Sequence, residues 1–144
     1  MPVRINGIRP IGSREWLGAA TVVAAVATTG SLWFSLGLGL VPCELCWYQR
    51  ILMYPLVVVL GVATVESRSA VWRTVLPLAL PGAAIAAYHS ALQVTAASCR
   101  LTGPCAAVLW RTPVVGLTIP NLSLIAFVLI TGFVVINARG ADQH

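Results

Sequence analysis

Charged residues are scarce in this 144-residue sequence. They make up 9% of the chain, and all nine basic residues are arginine, since lysine is absent. A soluble globular domain carries about 25% charged residues, so this composition excludes an ordinary water-facing surface. Because the arginines stand singly at segment ends and not in a basic patch with aromatic residues, we predict no nucleic-acid partner.

The sequence also lacks several features of other protein classes. No G-x-G-x-x-G motif follows a predicted strand, which argues against a soluble nicotinamide or flavin site. No internal repeat, low-complexity tract or long linker is present. We therefore expect one domain covering residues 1–144.

What the sequence does contain is long apolar segments. Hydrophobic residues make up 58% of the chain, and its mean hydropathy is +0.89. Uncharged stretches of 28, 15, 26 and 27 residues separate the charges, and such windows are typical of transmembrane helices. The predicted spans are 16–36, 43–65, 74–95 and 120–138. The expected fold is an all-α membrane protein, an antiparallel four-helix transmembrane bundle.

Two of the spans have special features. The apolar run of the first is longer than the roughly 7–15 residues of a signal-peptide core, so we expect it to be retained although small residues at 24–27 resemble a cleavage site. The third contains Pro77, Pro81 and Gly82, which predict a kink.

The distribution of arginines predicts the orientation. Six lie in the N-terminus, the loop between the second and third spans, and the C-terminus, whereas three lie in the other two loops. Because the arginine-rich side is cytoplasmic, both termini should lie in the cytoplasm. Loops 37–43 and 96–119 should then lie on the extracytoplasmic side of the cell membrane.

All four cysteines fall in these two outer loops, as the pairs Cys43/Cys46 and Cys99/Cys105. Disulfides persist on the outer side, which is oxidising in most cells. Two such pairs also offer the four ligands of a tetrahedral zinc site. The spacing of the second pair, with a glycine and a proline inside it, favours a small disulfide-closed loop, so we predict disulfides and no metal.

The first pair forms a C-x-x-C motif that follows Pro42, a residue that fits the first turn of a helix. We therefore expect Cys43 and Cys46 to open the second helix, where unpaired N–H groups and the helix dipole stabilise a thiolate. Glu44 between them acts modestly in the opposite direction. Since the thiolate is the nucleophile in disulfide exchange, the motif suits redox chemistry. A structural disulfide and half of a zinc site are the alternatives.

Arg50 lies where lipid is expected. The segment from Arg50 to Glu66 makes only about 22 Å of helix, less than the roughly 30 Å hydrocarbon core. The second helix must therefore extend back towards Cys43, which places Arg50 inside the apolar boundary. A charge there is either functional or reaches the interface by snorkelling. On a helix Arg50 shares a face with both cysteines and Tyr54, so it can stabilise a thiolate or an anionic ligand oxygen.

His89 lies six residues before the outer end of the third span, at about the depth of Arg50. An intramembrane histidine can protonate a reduced acceptor or hydrogen-bond a neighbouring helix. A thiol pair oxidises substrates repeatedly only if an acceptor removes its electrons. Two outer thiol pairs, with a cation and a histidine just inside the membrane, therefore indicate electron transfer to a quinone dissolved in the bilayer.

Three segments resemble signatures of the disulfide bond formation protein B (DsbB) family. They are Pro42-Cys43-Glu44-Leu45-Cys46-Trp47-Tyr48-Gln49-Arg50, Tyr88-His89-Ser90-Ala91-Leu92-Gln93 and Ile119-Pro120-Asn121-Leu122-Ser123-Leu124-Ile125-Ala126-Phe127. The first motif is specific, and the similarity runs from about residue 16 to 136. The short loop between the second pair of cysteines resembles the Gram-positive type of the family. In the related vitamin K epoxide reductase family the loop cysteines precede the C-x-x-C, the reverse of the order here.

This resemblance implies a four-helix membrane protein that reoxidises a thioredoxin-fold, DsbA-like thiol oxidase and passes the electrons to ubiquinone or menaquinone. It implies that Cys46 faces the quinone beside Arg50, with Cys43 as the exchanging partner. It further implies that Cys99 forms the mixed disulfide with the oxidase and that Cys105 passes the electrons to Cys43. The order of attack within that short pair stays open. We add His89 to the expected quinone site.

Two other functions use the same residues. The first is a non-catalytic membrane protein whose four cysteines bind zinc or form structural disulfides, which the metal content of the purified protein would reveal. The second is a quinone-dependent reductase that runs in reverse, which redox potentials would distinguish.

Overall fold

The computed structural model describes residues 12–94 and 111–142, which form four long α-helices. These are α1, Ser13–Leu32; α2, Glu44–Glu66; α3, Trp72–Val94; and α4, Ile119–Asp142. A π-helical turn, Trp33–Gly37, extends α1, and a 3₁₀ turn, Ser69–Val71, precedes α3. Each of the four is long and apolar enough to cross a membrane. The described residues thus contain the four long apolar helices that the sequence predicts.

The helices continue past the charges that delimit the apolar spans. The first begins before Arg14, and the last runs beyond Arg139. At the start of α1 the Glu15 carboxylate accepts a hydrogen bond of 2.9 Å from the Gly12 N–H, which satisfies one of the unpaired donors of a helix N-terminus. A charged side chain marks the end of the segment that can face lipid, but the helical backbone hydrogen bonds continue beyond it. The helix ends therefore differ from the predicted boundaries by a few residues.

Two short connections reverse the chain at opposite ends of the bundle. Gly39, with φ of 68°, lies in the connection between α1 and α2. Ser67, with φ of 53°, ends α2 in the left-handed conformation. The N–H of Arg68 then donates to the Ala63 carbonyl at 3.0 Å, as at many helix C-termini. Successive helices therefore run in opposite directions.

Contacts between opposite helix ends confirm the antiparallel arrangement. Trp16 near the start of α1 packs on Phe133 near the end of α4, with ring centroids 5.8 Å apart. Thr21 Oγ1 of α1 lies 3.0 Å from Thr64 Oγ1 near the end of α2. Each helix packs mainly against two neighbours, in the cyclic order α1, α2, α3, α4. The predicted antiparallel four-helix bundle is thus the observed architecture.

The core and the outer surface are both apolar. Phe127 of α4 is fully buried and fits against α3 because Gly82 has no side chain. Pro77 and Pro81 lie within α3, which is one continuous helix, and the kink expected there stays a prediction. Large aliphatic side chains point outwards, among them Val26 and Val58. An apolar exterior of this kind suits contact with lipid.

Candidate active site

The C-x-x-C pair lies at the beginning of α2. Cys43 is the N-cap residue, in extended conformation, and Cys46 lies in the first helical turn. Pro42 therefore precedes the cap and is not part of the first turn. The two Sγ atoms are 3.3 Å apart, and Cys43 is buried whereas Cys46 is half-buried. As predicted, the pair lies where the unpaired N–H groups of a helix N-terminus stabilise a thiolate.

His89 of α3 contacts this pair from the bundle interior. Its side chain is 2% exposed, and its Nε2 lies 3.8 Å from Cys43 Sγ. Its Nδ1 lies 3.1 Å from Nε2 of the buried Gln49. With the amide nitrogen of Gln49 turned towards Nδ1, as here, Gln49 donates to Nδ1 and the tautomer that fits carries its proton on Nε2. The arrangement directs an N–H group at the sulfur of Cys43.

Arg50 lies one helical turn beyond Cys46 and is half-buried. Its Nε donates to Ser31 Oγ at 2.9 Å, and one terminal nitrogen donates to the Ser31 carbonyl at 3.0 Å and to Ser35 Oγ. The guanidinium carbon is 5.4 Å from the centroid of the Trp47 ring. Within residues 12–94 and 111–142 no carboxylate pairs with Arg50, because the ion pair found there lies at the opposite end of the bundle. Neutral serine oxygens thus orient the Arg50 guanidinium, and its positive charge can interact with a bound ligand.

A small cavity of about 70 Å³ lies beside Cys46 and Arg50. It is enclosed by the start of α2, the end of α1 with its π-helical turn, and the start of α4. Its polar wall consists of Ser31, Ser35, Cys46, Gln49, Arg50 and Ser123, and Tyr54 also lines it. The Tyr54 hydroxyl is buried and has no hydrogen-bond partner within the described part of the chain. The cavity therefore offers a sulfur, a cation and a hydroxyl to one ligand.

This cavity adjoins a larger apolar groove between α1 and α4, of about 440 Å³. Both are lined by Ser31, Phe34, Ile119 and Ser123. Aliphatic side chains make most of the remaining groove wall, and Val22 and Val26 among them are more than 60% exposed on the outer surface. A molecule with a polar head and a long apolar tail can place its head at Cys46 and its tail in the groove.

The structure divides the predicted residues between two sides of the thiol pair. Cys46, Arg50 and Tyr54 share the cavity, as their common helical face predicts. Cys43, predicted on the same face, instead contacts His89. His89 is not among the residues that line the cavity, so its placement at the quinone stays a prediction. The two sides meet at Gln49, which lines the cavity and contacts the imidazole.

The second cysteine pair, Cys99 and Cys105, lies outside the described residues. Their pairing and their roles as catalytic residues stay predictions. The described part of this loop begins at Arg111, which forms an isolated β-bridge with Thr118. The next residue, Ile119, begins α4. This segment is therefore at the same end of the bundle as the C-x-x-C motif.

Four polar residues of the site were not identified from the sequence: Gln49 and Ser123, and the two serines Ser31 and Ser35 of the first span. Each lies within or beside an apolar span, where a polar side chain needs a partner. The two serines are four residues apart, so a helix places them on one face. That spacing was a usable signal for a polar face on α1. The partner of this face, Arg50, is 15 to 19 residues away in sequence and became apparent only in the packed bundle.

Comparisons with known proteins identify the family of this chain. Residues 13–137 match the family model described as Disulfide bond formation protein DsbB. Disulfide bond formation protein C of Bacillus subtilis is 45% identical over 125 residues, 82% of this chain and 88% of that protein. Probable disulfide formation proteins of Deinococcus radiodurans and Metapseudomonas resinovorans are 43% and 36% identical, over 77% and 82% of this chain and 80% and 85% of their own. No solved structure matches the chain.

The family match covers the first three helices, most of α4 and the residues of the described site. The relatives match most of their own length as well as most of this chain. The chain therefore belongs to the DsbB family, as a multi-pass membrane protein with an oxidoreductase role in disulfide bond formation.

Proposed function

We propose that this chain is a membrane thiol–quinone oxidoreductase. It reoxidises an extracytoplasmic thioredoxin-fold, DsbA-like thiol oxidase and passes the electrons to ubiquinone or menaquinone. The observation that carries the proposal is the cavity beside Cys46 and Arg50, because it joins a thiol at a helix N-terminus to a lipid-facing groove. A soluble electron acceptor would not require such a groove.

The residues present fit a quinone. Arg50 has no carboxylate partner among the described residues, so it can stabilise negative charge on a ligand oxygen. The Tyr54 hydroxyl, unpartnered within the described chain, is a second group that can reach a ring oxygen. The groove between α1 and α4 suits an isoprenoid tail. A quinone held there would accept the two electrons and two protons released when two thiols form a disulfide.

The protein's own part of the reaction is a pair of thiol–disulfide exchanges. In the first, the dithiol of the oxidase reduces a Cys99–Cys105 disulfide, and the oxidase leaves with its own disulfide restored. In the second, the reduced loop pair attacks a Cys43–Cys46 disulfide and is itself reoxidised. Attack at Cys43 releases Cys46 as a thiolate, which the N-terminus of α2 and nearby Arg50 stabilise.

His89 belongs to the exchange side of this scheme. Its Nε2–H faces Cys43 Sγ at 3.8 Å. When the mixed disulfide at Cys43 resolves, this sulfur departs as a thiolate and can accept the hydrogen bond from His89. The same imidazole is held by Gln49, so it is oriented before the exchange takes place.

The test is quinone reduction by the purified full chain in detergent, supplied with a reduced DsbA-like oxidase. Wild-type protein should turn over, and the variants Cys43→Ser, Cys46→Ser, Cys99→Ser and Cys105→Ser should not, since each breaks the relay. Quinone-dependent thiol oxidation by the Cys46→Ser variant would contradict the proposed order. Folded protein that turns over neither ubiquinone nor menaquinone would favour the structural or zinc alternative. A redox potential below that of the oxidase would favour the reductase direction.

A further inference from the structure

Cys43, Cys46 and His89 form a group of three metal-ligating side chains. One ligand atom from each lies within 4.8 Å of the other two. The sulfur–sulfur distance is 3.3 Å, and the distance from Cys43 Sγ to His89 Nε2 is 3.8 Å. Cys43 and His89 are buried, and Cys46 is half-buried. An ion at this position would be largely shielded from water.

We propose that the dithiol form of this site binds a thiophilic divalent cation, such as Zn²⁺, through these three ligand atoms. A tetrahedral zinc ion has bonds of about 2.3 Å to sulfur and about 2.0 Å to nitrogen, so its sulfurs lie about 3.8 Å apart and sulfur lies about 3.6 Å from nitrogen. The sulfur–sulfur distance differs from its ideal value by about 0.5 Å, and the distance from Cys43 Sγ to His89 Nε2 by about 0.2 Å. The separation of Cys46 Sγ from the imidazole is within 4.8 Å, so it shortens by up to about 1.2 Å when an ion binds. Side-chain rotations that bring the three atoms together form the site, and water can supply the fourth ligand of a tetrahedral ion.

Charge balance favours a divalent ion here. Two thiolates neutralise Zn²⁺, and the imidazole is a neutral ligand, so the complex brings no net charge into a largely buried site. The guanidinium of Arg50, which donates to Ser31 and Ser35 of the first span, has no lone pair to offer a metal ion. The carboxylate of Glu44 accepts a hydrogen bond from Tyr48 at 2.8 Å on the exposed side of the helix. Neither the Arg50 nor the Glu44 side chain is therefore a metal ligand in the proposed site.

Gln49 can support the ligating form of the histidine. To bind metal, His89 Nε2 must lose its proton, so Nδ1 must carry it. A half-turn of the Gln49 amide presents Oε1 to Nδ1 in place of the amide nitrogen, and Oε1 then accepts the hydrogen bond. Ligating histidines almost always donate their other N–H to such a partner.

Binding involves no electron transfer. The two thiols lose two protons, and two zinc–sulfur bonds and one zinc–nitrogen bond form. While both sulfurs hold the ion they cannot form a disulfide, so the site stops the redox cycle. This inhibitory site differs from a four-cysteine structural site because it needs His89 and the reduced pair. The inhibition rests on the proposed function, whereas the binding does not.

The test uses the full chain in detergent, without a polyhistidine tag and with Cys99→Ser and Cys105→Ser so that only the C-x-x-C thiols remain. Zn²⁺ is titrated against a chromophoric chelator. Reduced protein should bind one equivalent and release two protons, and oxidised protein should bind none. His89→Gln should weaken binding at least about tenfold, and the matched variant His144→Gln, which removes the other histidine of the sequence, should leave it unchanged. Equal binding by oxidised protein, or unchanged affinity in His89→Gln, would overturn the proposal.

A second measurement does not depend on how the histidine variant folds. X-ray absorption at the zinc edge of the reduced protein should show two sulfur ligands at about 2.3 Å and imidazole scattering, and a shell without sulfur or without imidazole would overturn the site. In the quinone assay, Zn²⁺ should stop turnover and a chelator should restore it. Zinc binding as expected in a protein that never reduces quinone would reject the proposed function and leave the metal site standing.

Discussion

Arg50 and Arg73 form a matched pair of arginines with different surroundings. The guanidinium carbon of each lies 5.4 Å from the centroid of a tryptophan ring, Trp47 for the first and Trp72 for the second. Only Arg50 also hydrogen-bonds serines of another helix and lines the cavity beside Cys46. Comparing the same substitution at both positions therefore separates the effect of losing the site contacts of Arg50 from the effect of replacing an arginine beside a tryptophan.

We expect Arg50→Lys to raise the KM for quinone about tenfold. A lysine keeps the charge but cannot make the forked contact to Ser31, and one hydrogen bond of a charged group contributes about 1.5 kcal/mol. Quinone-reduction kinetics at saturating oxidase measure the effect. Arg73→Lys is the control and should leave KM within twofold, roughly the scatter of surface substitutions. Equal effects of both substitutions would contradict a quinone-binding role for Arg50.

His89 gives a second prediction about a single residue, because it contacts Cys43 and does not line the cavity. His89→Gln should slow oxidation of the thiol partner about tenfold, the effect of losing one hydrogen bond to a charged sulfur. Its KM for quinone should stay unchanged. Stopped-flow measurement of the exchange, beside steady-state quinone kinetics, separates the two. A raised quinone KM with normal exchange would instead place the imidazole at the quinone, as the sequence alone suggests.

Helix packing depends on a few small residues, and the contact between α3 and α4 is the tightest example. A Cβ atom at Gly82 would lie 2.3 Å from the ring of Phe127. Because Phe127 is fully buried, its ring has no space into which to move. The glycine thus sets how closely the two helices approach.

Gly82→Ala should therefore lower stability by about 1–3 kcal/mol through overpacking. Gly132→Ala is the matched control, since nothing lies within 4 Å of its Cβ position. In an α-helix that substitution should be neutral or stabilising by up to about 1 kcal/mol. Unfolding in detergent, followed by circular dichroism, compares the two. A control as destabilised as the Gly82 variant would show that steric contact with Phe127 is not the cause.

At the scale of the whole molecule, the bundle has two chemically different ends. The C-x-x-C motif, Arg50 and the segment from residue 111 to 118 lie at one end. The short connection between α2 and α3, with the ion pair of Glu66 and Arg68, lies at the other. From the distribution of arginines we expect the thiol end to be extracytoplasmic.

A pair of engineered cysteines tests this orientation. In a chain whose four cysteines are replaced by serine, Val115→Cys and Ala70→Cys place one exposed thiol at each end of the bundle. A membrane-impermeant maleimide added to intact cells should label the Val115 variant and not the Ala70 variant. Permeabilised cells should show labelling of both, which confirms that each thiol is reactive. The reverse pattern in intact cells would mean that the termini are extracytoplasmic.

The sequence by itself determined the four helices and the start of the site. Long uncharged segments have few options other than spanning helices, since lipid leaves backbone groups no other partners. The spacing of Cys46, Arg50 and Tyr54 predicts a shared face because helical geometry is local. Family signatures around Cys43 and His89 then indicated disulfide chemistry. These inferences needed only residues that are close together in the chain.

Tertiary structure alone decided which side chains complete the site. Ser31 and Ser35 contact Arg50 because α1 and α2 pack antiparallel, and His89 contacts Cys43 and not the cavity because α3 packs on the opposite side of α2 from α1. The apolar groove beside the cavity forms where α1 and α4 pack together. Such contacts depend on how helices rotate and pack against one another, and that choice is made by the fit of many side chains together.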